Sequence, residues 1–518
     1  MRRRNPKSQK RLGRKVPREK VQRGRALPRK VDEQSDSAAP VLVWFRLDLR
    51  LSDNPALRRA AEREGPAIPV FIWAPEEEEP WPPGGASRWW LHRSLDALGN
   101  DLAARGSRLI VRKGRSLEEL REVAAETGAR TIFWNRRYEP TIVTRDDVIK
   151  AELDKSGFEV QSFNAGLLFE PWTILQKGTD RPYQVFSAFW KACLNHAEPP
   201  APESAPTVIK APTKWPRTLA LDELELEPKI DWAAGIRATW TPGESGAKSE
   251  LTRYMKNSVR QYALQRNFAG RKGTSRLSPH LHFGELSPRE IWHEAKARRD
   301  RGSGESVDAY LRELGWREFA YHLMFHFPQT TNEPLRPEFS KFPWKKDSRA
   351  LKKWQKGLTG YPVVDAGMRE LWATGWMHNR IRLVVASFLT KHLRISWEEG
   401  AYWFWDTLVD ADLANNTLGW QWTAGCGADA APYFRIFNPV LQSERFDPEG
   451  TYLRRWIPEL AELEAPWIHK PWLAPAEALD KARIQLGSTY PLPVVAHESA
   501  RREALAAFER VRREHNRA

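Results

Sequence analysis

Beyond residue 38, short apolar runs alternate with helical patterns. Val41–Phe45, Ala67–Trp73, Arg108–Val111 and Thr131–Trp134 read as buried strands, with a weaker strand at Glu159–Phe163. Between them, Trp89, Trp90, Leu95, Leu98 and Leu102 fall at helical spacing within Ala86–Arg105. Ser116 and Glu119 have the spacing of a capping box at the start of a further helix. Strands that alternate with helices imply a parallel sheet covered by helices. The pattern predicts an α/β domain over 40–165.

From residue 245 the strand signal stops. Helical patterns dominate to 480, with stops expected at Gly360, Gly367 and Gly375. A second, all-helical domain over 245–480 follows, with a helical extension at 481–518. Residues 199–216 contain six prolines, which break helices and strands alike. The stretch 166–244 therefore reads as a connector. No internal repeat is evident.

Composition narrows the setting. A chain of 518 residues calls for two domains or three. No apolar run reaches 18 residues, so no membrane span is expected, and the basic start lacks the apolar core of a secretory signal. Cys193 and Cys426 are the only cysteines. They exclude a disulfide framework and a four-cysteine metal cluster, and a reducing, cytoplasmic compartment is expected. No metal site is anticipated. The net charge of +16 is concentrated: residues 1–30 hold 14 Lys/Arg and one Glu, leaving +3 for the rest. This basic tail, 1–38, reads either as a disordered segment that binds a polyanion or as a solubilising one. Tryptophan is abundant, at 25 residues. Indoles fill cores, but they also stack on bases and flavins.

Three clusters carry candidate chemistry. Gly273–Pro279 brings small hydroxyl residues before a helix, a pattern that holds phosphate oxygens or simply starts a helix. Asp410, Asp412 and Asn416 put two carboxylates and an amide in one short stretch. They suit the polar edge of a heterocycle, although acidic helix starts are common. Asn379 and Arg382 lie at i,i+3, on one helical face, where Arg382 can pair with a carboxylate such as Asp410.

In their order and separations, these motifs resemble the photolyase/cryptochrome family over about 41–465. The resemblance includes Trp44–Arg50, Thr274–Pro279, Trp316–Phe319, Gly360–Arg369, Gly375–Arg382 and Asp429–Pro439. It implies a Rossmann-like antenna domain joined to a helical FAD domain. It also implies that Tyr262 and Thr274, Ser275, Arg276, Leu277 and Ser278 hold the FAD phosphates and ribitol. Arg317, Asn379, Asp410, Asp412 and Asn416 then surround the isoalloxazine, and Arg382 pairs with Asp410. Tyr310 occupies a flavin-contact position that is often Trp.

The family contains both repair enzymes and blue-light receptors. Glu313 and Trp316 match positions that hold a flipped cyclobutane pyrimidine dimer, and Trp422 offers a second aromatic wall. Asn416 matches the residue facing flavin N5, which is Asn in repair enzymes and Asp in plant cryptochromes. The resemblance thus implies a light-dependent deoxyribodipyrimidine photo-lyase, with a receptor lacking repair activity as the alternative. Asn379 and Leu383 stand where (6-4) photolyases carry histidines, which disfavours that lesion. The DNA-contact set is Glu313, Trp316, Arg317, Asn379, Leu383 and Trp422. The segment Leu277–Glu285 is similar to plant cryptochromes and points to class III photolyases. Trp420, Trp397 and Trp344 match the family's electron-transfer chain. Trp134–Tyr138 lies where relatives bind an antenna chromophore, with methenyltetrahydrofolate expected first and a deazaflavin second, although Asn135 and Tyr138 equally suit a structural role at the strand end. The expected partner is ultraviolet-damaged DNA, with no membrane and no obligate protein partner, the protein acting as a monomer.

Overall fold

The computed structural model describes residues 38–515, apart from 300–303, 431, 434 and 466. The basic tail thus lies outside the described residues, except for its last position.

Five strands form one parallel sheet: β1 (Val41–Phe45), β2 (Ala67–Trp73), β3 (Ile110–Lys113), β4 (Thr131–Asn135) and β5 (Glu159–Phe163). Their order is β3-β2-β1-β4-β5, and Val41 sits opposite Ala67 on one side and Thr131 on the other. The central strand β1 is buried along its whole length, as expected when helices cover both faces. Its side chains alternate between two cores. Val41, Val43 and Phe45 enter one, and Leu42 and Trp44 enter the other. The covering helices are α1 (Pro55–Ala61), α2 (Gly85–Ala103), α3 (Ser116–Thr127) and α4 (Pro140–Lys155). All five apolar positions read on α2 are buried. The strand order reverses between β1 and β4, which opens a crevice at their carboxyl ends.

Two local expectations fail. β3 starts at Ile110 rather than Arg108, because Arg105, Gly106 and Ser107 still close the end of α2 through its Leu102 and Ala103 carbonyls. The capping box at Ser116 does not form. Arg115 is the cap residue, and the Ser116 N–H and hydroxyl both donate to Glu77, at 2.9 and 2.5 Å. A carboxylate from the segment after β2 has replaced the local partner.

The remainder is helical, and the described residues beyond β5 add only two isolated bridges. Gly360 and Gly375 have φ of +79° and +66°, and Gly375 ends the helix Pro362–Thr374. Gly367 is not a stop: it lies inside that helix. A Cβ there would come within 2.5 Å of Ile381 and 2.9 Å of Val385, so its absence lets the helix Asn379–Ser387 pack close. Near the C-terminus, the helix His497–His515 docks through Phe508, stacked on Tyr433 at 4.7 Å.

Buried polar groups join the sheet to the helices. Glu285, fully buried, accepts from Trp90 Nε1 at 2.9 Å and the Gly243 N–H at 2.7 Å, and also bonds Ser94 and His280. Arg50 donates to the carbonyls of Gly284 and Ala165, each at 2.8 Å. A charge at such depth persists only with partners of this kind. Among the described residues, no helix is long and apolar enough to cross a membrane, and no group of His, Cys, Asp and Glu has the makings of a metal site. Both cysteines are free and buried.

Candidate active site

A cavity of about 510 Å³ opens within the helical part. Its polar side comes from the starts of two helices. Asn379 begins Asn379–Ser387, and Arg382 follows one turn later on the same face. Asp412 caps Leu413–Ala424, accepting from the Asn415 N–H at 2.8 Å, and Asn416 lies one turn inside that helix. Arg382 Nη2 donates to both Asp410 oxygens, at 2.8 and 2.9 Å, while its Nε reaches the Met377 carbonyl at 2.7 Å. Burial would raise the Asp412 carboxyl, but His282 at 3.9 Å, the charge of Arg317 and the Tyr321 hydroxyl hold it well below the usual range. Asn416 is pinned by Nδ2 on the Ala401 carbonyl, at 3.0 Å. Leu281, Trp376, Met377, Leu408 and Trp420 supply apolar walls to the same cavity.

The helix Gly304–His326 contributes Tyr310, Glu313, Trp316 and Arg317. Trp316 lies flat on Phe186, with ring centroids 3.7 Å apart. Glu313 pairs with Arg266 at 2.6 Å. Arg317 donates to the Gly166 carbonyl at 2.7 Å and sits over the Tyr321 ring. Trp422 and Leu383 complete the wall. Every residue of the expected DNA-contact set therefore lines one cavity.

The segment expected to hold phosphates lines the cavity only in part. Ser275, Leu277 and Ser278 line the cavity, but Thr274, Arg276 and Tyr262 do not. Arg276 has φ of +56°, and its guanidinium lies between the Trp240 and Trp376 rings, at 4.3 and 5.0 Å. Tyr262 is buried in a cluster with Tyr254 and Tyr310. It supports the cavity from beneath, since the Arg266 guanidinium lies over its ring at 5.2 Å.

Trp420 is buried against the cavity, and Trp397 is buried one helix away. Trp397 shares a helical face with Gly400, where a Cβ would fall 2.1 Å from the Trp420 ring. Trp344 packs on Phe342 at 4.3 Å and is half-buried. All three belong to one continuous apolar cluster.

His282 and Arg266 were not anticipated. Both were legible as helical spacing, His282 four residues after Ser278 and Arg266 four after Tyr262. His282 also lines a second, narrower cleft of about 50 Å³, at the switch point of the sheet. Here Trp44 and Arg46 follow from β1, Phe71 to Ala74 from β2, Ser87 and Leu91 from α2, and Arg137, Glu139 and Arg145 from the region after β4. Within the expected antenna motif, only Arg137 reaches this cleft, held by Glu78 and Glu139 at 2.9 Å. Asn135 instead bonds Asp48 and Asn54, and Tyr138 bonds Glu170, so these two serve the strand end.

A parallel sheet with a switch-point cleft is thus joined to a helical part that encloses a cavity with a charged edge and indole walls. Two family models match the chain: DNA photolyase over residues 41–207, and the FAD binding domain of DNA photolyase over 310–510. A deoxyribodipyrimidine photo-lyase of Agrobacterium fabrum is 48% identical over 92% of this chain and 98% of that protein. Cryptochrome-1 of Arabidopsis thaliana is 42% identical over 89% of this chain and 69% of its own length. The crystal structure of a class III photolyase from Agrobacterium tumefaciens superposes with a TM-score of 0.89, at 48% identity over 92% of this chain and 98% of that one. The chain belongs to the photolyase/cryptochrome family.

Proposed function

We propose that this protein is a light-dependent DNA repair enzyme that splits cyclobutane pyrimidine dimers, in the manner of a class III photolyase. One observation carries the reading. Glu313, Trp316 and Trp422 share a single cavity with the flavin-edge set Asn379, Arg382, Asp410, Asp412 and Asn416. A flipped pyrimidine pair needs aromatic faces and a polar group beside them, next to its electron source. The similarity to the Agrobacterium photo-lyase supports the same reading.

The cavity fits FAD in its chemistry. The edge of an isoalloxazine carries both donors and acceptors, and the cavity offers carboxylates, amides and guanidinium groups beside apolar walls. Ser275 and Ser278 line the same cavity and would hold the phosphates and ribitol. When bound, FAD supplies the photoexcited electron for dimer cleavage. The chain's own residues position it: Asp410, held by Arg382, and Asp412 fix the polar edge, and neutral Asn416 adds no negative charge beside it. Trp316, backed by Phe186, leaves one face for a pyrimidine. Trp420, Trp397 and Trp344 serve as a relay that restores the reduced cofactor.

The switch-point cleft is the favoured antenna site. The Trp44 ring lies 4.7 Å from the Arg46 guanidinium and 5.1 Å from that of Arg145. Arginines beside an indole suit the carboxylates and fused ring of methenyltetrahydrofolate, and a deazaflavin is second. The same reading takes the protein as a cytoplasmic monomer that binds damaged DNA.

The alternative, a receptor without repair activity, is favoured by the likeness to Arabidopsis cryptochrome-1. A dimer-containing oligonucleotide under blue light separates the two. Repair by the flavin-loaded protein is expected, and failure to repair bound substrate would refute the enzyme reading.

A further inference from the structure

We infer that the surface around Trp344 is a docking site for an external electron donor, a small acidic protein with a one-electron centre, which refills the indole chain. The inference rests on the relay reading of Trp420, Trp397 and Trp344 above.

The charge of this surface stands out from the rest of the molecule. Residues 341–356 hold seven Lys/Arg and one Asp, a net +6, whereas residues 31–518 as a whole carry +3. The single acid, Asp347, is engaged locally: it caps the helix Ser348–Gln355, accepting from the Ala350 N–H at 2.9 Å. Lys345 pairs with Glu503 at 2.9 Å. Among the described residues, Lys341, Lys346, Arg349, Lys352, Lys353 and Lys356 have no carboxylate within 4 Å, and all but Lys353 are exposed. Like charges gathered in this way repel one another, and an anionic partner relieves them. None of the six lines the cavity, so neither the flavin nor the lesion uses them.

Trp344 lies between Lys341 and Lys345 in the chain and is half-buried. Its ring packs on the buried Phe342 at 4.3 Å, in the apolar cluster that also holds Trp397 and Trp420. One carboxylate is already seated beside it. Glu503, from the helix His497–His515, accepts from Lys345 Nζ and from Arg394 Nη2, each at 2.9 Å, and the Lys345 N–H donates to the Arg394 carbonyl at 2.7 Å. The chain itself thus shows the chemistry that this surface accepts.

The extent of the surface selects the occupant. The helix Ser348–Gln355 alone rises about 12 Å. A small anion covers one or two cations, whereas six unpaired ones suit a protein face with several carboxylates. Such complementarity speeds encounter more than it tightens the complex, which suits a donor that leaves after one electron. A nucleic-acid backbone matches the charge but makes no use of the indole. The step balances simply. Light leaves the Trp344 indole one electron short, the donor's centre is oxidised by one electron, and the neutral indole is restored. No bond is made or broken.

Flash photolysis tests this. Protein loaded with oxidised flavin is flashed with blue light beside reduced plastocyanin, an acidic blue-copper protein, and the colour that its copper gains on oxidation is followed. Reduced cytochrome c, a basic protein, serves as the opposite probe. Plastocyanin is expected to react faster than cytochrome c, at a rate that falls steeply with salt. The triple variant Lys346→Glu, Lys352→Glu, Lys353→Glu should slow plastocyanin by about tenfold or more at low salt and speed cytochrome c. Dithiothreitol, which is uncharged, should serve both proteins alike. Flavin absorption and melting temperature certify that each variant is folded. Equal rates for the two donor proteins, or an unchanged plastocyanin rate in the triple variant, would overturn the docking site. So would a loss of duplex affinity in that variant with the plastocyanin rate intact, which gives the surface to nucleic acid. If Trp344→Phe photoreduces as fast as the wild type with dithiothreitol, the relay reading falls instead, and the docking site with it.

Discussion

The cavity in the helical part draws its polar wall from two helix starts, around Asn379 and Asp412. The cleft at the switch point takes one to four residues each from β1, β2, α2 and the segment after β4. The two share His282 as a common wall. In the first, side chains three or four apart meet because a helix brings them to one face. In the second, residues far apart in the chain meet because parallel strands end side by side. The first kind of site is legible as a motif. The second exists only once the strand order is known. Both sites hold buried ion pairs, Arg382 with Asp410 in the helical cavity and Arg137 with Glu78 and Glu139 at the cleft.

The largest effect should come from breaking such a pair. Arg382→Met leaves Asp410 buried without its cation, which costs about 3–5 kcal/mol where one partner of a buried pair is removed. We expect a sharp fall in melting temperature and loss of bound flavin, read by absorption. An unchanged flavin content would show that the cavity does not rest on this pair.

Glu318 sharpens the comparison through pH. It lies on the helix that carries Glu313, Trp316 and Arg317, and it accepts from the Leu168 and Phe169 N–H groups at 3.0 and 3.1 Å. Burial pushes its carboxyl up to about 7. A raised carboxyl keeps its proton in the folded protein after the unfolded chain has lost it. Stability is therefore full below the ordinary carboxylate range and falls as pH rises towards 7, by at most about 3 kcal/mol. Melting temperature should drop between pH 5 and 7 and do so less in Glu318→Gln, which still presents an oxygen to both N–H groups. Identical profiles would remove Glu318 from this account.

Trp316→Ala should weaken binding of a dimer-containing duplex by about 1–3 kcal/mol, the scale of one lost stack, with flavin content unchanged. Undiminished affinity would move the lesion elsewhere. At the cleft, Ser87→Leu fills space from the buried face of α2. It should abolish absorbance from a second chromophore while repair driven by light absorbed by the flavin continues. Retained absorbance would place the antenna outside the switch point. The smallest effect concerns the basic N-terminus. Deleting residues 1–30 should flatten the salt dependence of DNA affinity without loss of preference for damage, and an equal slope would mean that this segment touches no DNA.

By itself the sequence determined the alternation of buried strands with helices, the switch to all-helical structure, and the contiguous clusters at 379–382 and 410–416. These are local quantities: the period of apolar residues and the spacing along one helix. Tertiary structure decided the rest. Gly367 reads as a stop, yet it is the flat spot that admits Ile381 and Val385. Ser116 reads as a cap, yet Glu77 from another element takes its N–H and hydroxyl. Arg276 lies within the expected phosphate loop, and a positive φ turns it to two tryptophans. The switch-point cleft and the Arg266–Glu313 pair arise between segments far apart in the chain. Their partners are set by packing, which no window along the sequence contains.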